Sequence, residues 1–265
     1  MRKKQAGETD LEDPLVVMPE GKHDYDITTF FPLFSQYIYH LVSDADAVRH
    51  TTLAVLRDFA ADGVVYVELR TTPRPTRDLT KAQYVQTVLD AMADFEAGAR
   101  GTLRARLILS VDRRNTPAEA AAVVDLCRRF RARGVVGIDL CGDPARGGVE
   151  ALAPAFAAAR AVPGLGTTLH FAEAPASSAD AELRLLLGWR PDRLGHVIHV
   201  GDEVRRAIAA RRGIGLELCL SCNVQARMVE GGFEGHHFGR WWKVEGCVVV
   251  LCVSWSPLYG PEESY

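Results

Sequence analysis

Seven short apolar runs constrain this chain more than any other feature. They lie at 64–70, 103–111, 135–140, 167–171, 194–200, 215–220 and 246–252. Between them, apolar residues recur at helical spacing, and the whole unit repeats at roughly 30 residues. Apolar runs alternating with helices describe parallel strands joined by crossover helices. A doubly wound sheet would place a glycine-rich phosphate turn after its first strand. No G-x-G-x-x-G follows a strand here. Ionisable and polar residues instead follow nearly every run: Glu68 and Arg70, Asp112, Asp139 and Asp143, His170 and Glu173, His196, and Ser221 to Asn223. That is the pattern of a barrel whose site sits at the carboxyl ends of its strands.

The expected fold class is therefore α/β, a TIM-type (β/α) barrel. A closed barrel of this kind needs eight strands, and the sequence offers seven. Leu15-Val-Val-Met18 is the one further candidate, but it is short and Pro19 follows at once. The expectation is an incomplete barrel with two open edges. Residues 1–25 read as a polar lead-in, and 26–265 as a barrel domain truncated at both ends. Helix starts are expected near Thr28 or Thr29 with Pro32 in the first turn, at Asp44 or Asp46, at Thr80, and at Thr116-Pro117. Ser221-Cys-Asn223 is expected to leave the sixth strand as a loop.

Composition excludes several function classes. Net charge is −3 with histidine neutral, which argues against a general nucleic-acid surface. No run approaches the roughly 18 apolar residues of a membrane span. The first ten residues hold basic side chains but no apolar h-region, so no secretory signal is expected. Six cysteines lie mostly in apolar runs, as buried free thiols of a reducing, cytoplasmic compartment do. Cys219 and Cys222 form a C-x-x-C without a second pair, and a structural role is favoured over a metal one.

The chemistry concentrates in Gly166-Thr-Thr-Leu-His170-Phe-Ala-Glu173-Ala-Pro175. A strand ends on a histidine, a glutamate follows three residues later, and proline stops any regular continuation. A zinc hydrolase needs imidazole and carboxylate ligands, an open position for water, and a proton-shuttling group nearby. His170 suits a ligand, Glu173 a shuttle, and His196 a group that orients or activates water. Each has a plainer alternative. His170 could be a structural strand-end histidine, Glu173 a helix cap, and His196 a hydrogen-bonded core residue. The adjacent His236 and His237 could contact a phosphate or cap a helix.

Several motifs in fixed order resemble the adenosine/AMP deaminase family, and within it the adenosine deaminase-like branch that acts on N6-methyl-AMP. They are Asp62-Gly-Val-Val-Tyr-Val-Glu-Leu-Arg-Thr-Thr-Pro-Arg74, Val111-Asp-Arg-Arg114, Gly137-Ile-Asp-Leu-Cys-Gly-Asp-Pro144, Leu169-His-Phe-Ala-Glu-Ala-Pro175, Asp192-Arg-Leu-Gly-His196, Leu216-Glu-Leu-Cys-Leu-Ser-Cys-Asn-Val224 and His236-His-Phe-Gly239. The resemblance implies a metal-dependent hydrolase barrel and a Zn2+ cofactor. It implies hydrolytic deamination of a 6-aminopurine nucleoside or nucleotide (N6-methyl-AMP, AMP or adenosine) to the inosine form. By the same resemblance His170 is a zinc ligand, Glu173 protonates the purine ring nitrogen, His196 positions and deprotonates water, and the Gly142 backbone contacts the purine. Asp143, Arg74, His236 and His237 are further substrate-binding candidates. The expected partner is a small purine nucleoside or nucleoside monophosphate, with no nucleic acid, no membrane and a monomeric chain.

The sequence also departs from the family pattern. No His-x-His occurs, and His23 stands alone in a polar segment. Val253-Ser254-Trp255 stand where the family carries Thr-Asp-Asp, and Val197 replaces a glycine after His196. Of the four protein ligands that the resemblance implies, only His170 is present. The alternative reading is a catalytically inactive, nucleotide-binding fragment of the same fold.

Overall fold

The computed structural model describes residues 7, 9–17, 29, 32–98 and 103–252. Seven strands form one parallel sheet in strict sequence order. They are β1 (Tyr66–Thr71), β2 (Arg104–Asp112), β3 (Val135–Cys141), β4 (Gly166–Phe171), β5 (Arg193–His196), β6 (Ile214–Leu218) and β7 (Cys247–Leu251). The sheet curls into an open half-barrel with helices outside it. Sequential parallel neighbours require a crossover after each strand. Helices Lys81–Gly98, Pro117–Phe130, Ala153–Arg160, Asp180–Gly188 and Asp202–Ala209 are among those crossovers.

Local chemistry explains where the helices start. Asp44 caps Ala45–Ala61, accepting from Ala47 N at 2.8 Å. Thr80 and Gln83 bond reciprocally at the start of Lys81–Gly98. Thr116 and Glu119 form a full capping box with Pro117 in the first turn. The expected helix at 26–34 lies largely outside the described residues, as do His23, Met18 and 253–265. Pro14–Val17 is a helical turn, so this part of the chain supplies no eighth strand.

Strands β2, β3, β4 and β6 are buried on both faces, which is why they read as continuous apolar runs. Leu107, Leu109, Ile138, Leu140, Leu169, Leu194 and Leu216 are fully buried in one core cluster. Each such side chain contributes roughly 1.5–3 kcal/mol by leaving water. The two edges differ. Tyr66 on β1 and Val248, Val250 and Leu251 on β7 are exposed, as an unclosed barrel requires. No helix among the described residues is long and apolar enough to cross a membrane.

Two expectations are corrected. The run at 194–200 is a strand only to His196, because His196 and Val197 both adopt left-handed backbone, with φ 64° and 54°. Ser221 to Asn223 is not a loop but part of the helix Leu220–Gln225.

Candidate active site

Strand periodicity and register assemble the site. Residues two apart share a face, so Glu68 and Arg70 point the same way, as do Thr168 and His170. Register then sets Ser110 beside Asp139 and Asp139 beside Thr168, and places His170 and Glu217 on either side of Gly195. The side chains form layers across the barrel interior, as in closed barrels.

A charge network runs through those layers. Arg193 bonds Glu68 at 2.7 Å and Glu217 at 3.1 Å. Arg70 donates to Glu217, which also accepts from Thr168 Oγ1 at 2.9 Å. Arg70 lies 3.6 Å from Asp139. Asp139, fully buried, accepts from Ser110 Oγ at 3.0 Å and meets His170 Nδ1 at 3.1 Å. Burial opposes the Asp139 charge, but the cations of His170 and Arg70 outweigh it and hold the carboxyl below its ordinary range. Burial likewise opposes a charged His170, and Asp139 outweighs it, lifting the imidazole to about 9.

The second cluster holds Glu173, His196, Asn223 and His236. His196 Nε2 lies 3.4 Å from Glu173 Oε1, and its ring centroid is 5.3 Å from that of His170. Burial holds His196 and His236 below the ordinary histidine value, so both rings are neutral near pH 7. Phe238 N donates to His236 Nδ1 at 3.0 Å, which leaves the ring proton on Nε2. That nitrogen faces the Asn223 amide at 3.1 Å, and the other end of the amide faces His196 Nδ1 at 2.9 Å. With Nδ2 toward His236, two donors would meet. Turned half a turn, the amide accepts from His236 and donates to His196, an orientation decided by the hydrogen bonds rather than by shape. His196 then carries its proton on Nε2, the nitrogen 3.4 Å from Glu173 Oε1.

The remaining candidates sit around this centre. Gly142 follows β3 with φ 106°, and a Cβ there would fall 2.7 Å from Asp112 Oδ1, so the position demands glycine. Asp143 accepts from Ala145 N at 2.9 Å in its own turn. Arg74 donates to Val42 O at 2.6 Å and lies over the Tyr39 ring, tying the loop after β1 to the short helical turn Tyr39–Leu41 and its C-cap. His237 Nε2 donates to His196 O at 2.6 Å and its ring stacks on His236. Four predicted residues, His170, Glu173, His196 and His236, thus share one region, whereas the polar atoms of Arg74 and Asp143 are engaged locally. Sequence reasoning gave no role to Arg70, Glu217 and Asn223. The signal available was a charged or amide side chain inside an apolar run.

Val197 is fully buried at φ 54°. A β-branched residue there is strained, and glycine is the residue such backbone favours. No disulfide forms among the six cysteines, and the neighbouring Cys252 thiol together with burial pushes the Cys219 thiol well above its ordinary range.

The described residues offer one histidine poised for a catalytic zinc. His170 is oriented as a ligand would be, with Nδ1 held by a carboxylate and Nε2 left over. Asp139 and Glu217, however, are occupied by His170, Arg70 and Arg193. Among the described residues no group of three histidine, cysteine or acidic side chains is arranged to hold a metal. A catalytic zinc takes three protein ligands, so the described residues do not fit one by themselves.

A curled parallel sheet with its ionisable groups at the carboxyl strand ends defines a TIM-type (β/α) barrel enzyme architecture. A family model described as adenosine deaminase matches residues 8–236. The chain belongs to the adenosine deaminase family. It is 36% identical over 229 residues to an N6-methyl-AMP deaminase of Xenopus laevis, covering 84% of this chain and 63% of that protein. It is 34% identical over 225 residues to an N6-methyl-AMP deaminase of Danio rerio, covering 81% and 63%. The chain thus spans less than two thirds of the length of these relatives. A crystal structure of Arabidopsis ADAL complexed with GMP superposes with a TM-score of 0.84 at 30% identity, covering 95% of this chain and 73% of that one.

Proposed function

We propose that this chain binds a 6-aminopurine nucleoside or nucleotide and carries the residues of hydrolytic purine deamination. The observation that carries the reading is the buried Glu173–His196 pair, 3.4 Å apart, beside His170 at the strand ends. Deamination replaces an exocyclic amine by oxygen. Water adds at the purine C6, the ring nitrogen takes a proton, and the amine leaves with another. Glu173 suits the proton transfers because it is buried and can receive and return a proton along one hydrogen bond. His196, neutral and held by Asn223, suits orienting the water. The Gly142 backbone offers the base a contact that no side chain obstructs. Asp143, Arg74, His236 and His237 shape and brace the wall.

The names of the relatives favour N6-methyl-AMP over AMP and adenosine, and the GMP complex of ADAL favours a monophosphate. Zinc is the family's cofactor, and in this chain His170 is the residue that would face it. Were zinc held there, it would supply the activation of water. Because the described residues give it no closed donor set, the steps assigned above belong to the chain's own side chains. That incomplete set specifically favours the second reading, a catalytically inactive chain that still binds nucleotide.

One experiment separates the readings. Purified chain supplied with zinc is offered N6-methyl-AMP, AMP and adenosine, with binding and product measured together. Conversion to the inosine form supports deamination. Saturable binding without product supports the inactive reading, and neither binding nor product would sink both.

A further inference from the structure

The opposite mouth of the half-barrel holds a cleft of about 350 Å³, lined by Arg160, Arg190, Pro191, Asp192, Arg211, Arg212, Gly213 and Ile214. Arg190, Pro191 and Asp192 lead into β5, Arg211, Arg212 and Gly213 lead into β6, and Arg160 ends the helix before β4, whereas His196 ends β5 and Asn223 follows β6. Four guanidinium groups therefore line a space with one carboxylate. That carboxylate is already engaged, since Asp192 Oδ2 accepts from Thr167 N at 2.8 Å.

None of the four arginines forms an ion pair among the described residues. The contrast with nearby surface is plain. Arg113 holds Glu182, Arg128 holds Asp125, Arg184 holds Glu203 and Arg205 holds Asp202. In the cleft, two guanidiniums are fixed by backbone instead. Arg160 donates to Trp189 O at 3.3 Å and also to Arg190 O. Arg211 donates to Leu187 O at 3.1 Å and Pro191 O at 3.3 Å. These bonds hold the cations beside one another without neutralising them. Arg190 itself sits at φ 54°, an uncommon backbone for a residue with a side chain. Burial and the nearby charges of Arg160 and Arg190 disfavour the Arg211 cation. Arginine does not release its proton at ordinary pH, so the repulsion stands until an anion enters.

We propose that this cleft is an anion site, distinct from the catalytic end, for a phosphate-class group. Convergent guanidiniums match the oxygens of a phosphate through paired N–H donors. Arg160 and Arg211 are the pre-fixed pair. Arg190 and Arg212 are exposed arms that close on the ligand. Both inorganic phosphate and the phosphate of a nucleotide present this chemistry.

The test titrates inorganic phosphate and IMP separately into the full chain at constant ionic strength, chloride being the exchanged ion, and follows the melting temperature and calorimetric binding. R190Q/R212Q is the first variant, because neither side chain holds a hydrogen bond among the described residues. R211Q is the second. The expected result is saturable phosphate binding that R190Q/R212Q, remote from the catalytic end, weakens about tenfold or more, the size of one charged hydrogen bond. An IMP-only effect with the same variant dependence supports a nucleotide phosphate as ligand. A response matched by chloride, or equal in wild type and R190Q/R212Q, overturns the proposal. Should R211Q fail to fold, the double variant decides alone.

Discussion

His196 Nε2 lies 3.4 Å from Glu173 Oε1, and both side chains are almost wholly buried. A carboxyl group and an imidazole at that separation can face one substrate inside a water-poor pocket. Replacing the carboxylate with an amide keeps the shape and removes the proton carrier. Glu173→Gln is expected to lower turnover about a hundredfold or more while leaving nucleotide affinity within a few fold. Single-turnover kinetics and calorimetry on one preparation check both halves. Unchanged turnover would remove Glu173 from the chemistry.

Asn223 makes a sharper prediction about the same pair. The proton count sets its NH2 on His196 Nδ1 and its oxygen on His236. In Asn223→Asp that donor becomes an acceptor, so the His196 proton moves from Nε2 to Nδ1. Turnover is expected to fall about tenfold or more, with the fold retained, and NMR of the ring nitrogens should show the changed tautomer. Full activity in Asn223→Asp would mean that the amide faces the other way.

Asp139 is the buried carboxylate between His170 and Arg70. Removing one partner from a buried pair leaves an uncompensated charge, which costs roughly 3–5 kcal/mol. Asp139→Ala is therefore expected to lower unfolding stability by about that amount, read from denaturant midpoints. A loss below about 1 kcal/mol, the scale of exposed pairs, would show that solvent reaches the network.

Acid sensitivity follows from His237. Burial pushes this imidazole down to about 4. Its Nε2 proton is committed to His196 O, and its Nδ1 is buried with no hydrogen-bond partner among the described residues. Unfolded histidine takes up a proton near pH 6.5. Between about 6.5 and 4 the unfolded chain thus binds more protons than the folded one, and stability falls as pH falls. His196, His199 and His236 are shifted in the same direction and add to the slope. Melting temperatures across this range should drop steadily, and His237→Gln should flatten the curve. A wild-type curve already flat there contradicts the assignment.

How much of this was legible in the sequence depends on whether the cause was local. β2, β3, β4 and β6 were readable because burial on both faces forces continuous apolar runs. The caps at Asp44 and Thr116 were readable because their chemistry spans three residues. β5 was read too long because the left-handed turn at His196 and Val197 is imposed by the site, not by β-favouring Val197-Ile-His-Val200. The network was hidden for another reason. Arg70 on β1 meets Glu217 on β6 only when the sheet curls, and Asp139 meets His170 only once β3 and β4 pair in the right register. Asn223 was missed because its segment, expected to be a loop, folds as a helix that turns the amide toward two histidines.

We propose that Glu173 and His196 perform purine deamination. The most direct measurement is methylamine release from N6-methyl-AMP by the full chain supplied with zinc, run beside Glu173→Gln. Stoichiometric methylamine and IMP from wild type, with little from the variant, is the predicted result. No methylamine from wild type, or equal amounts from both proteins, would contradict it.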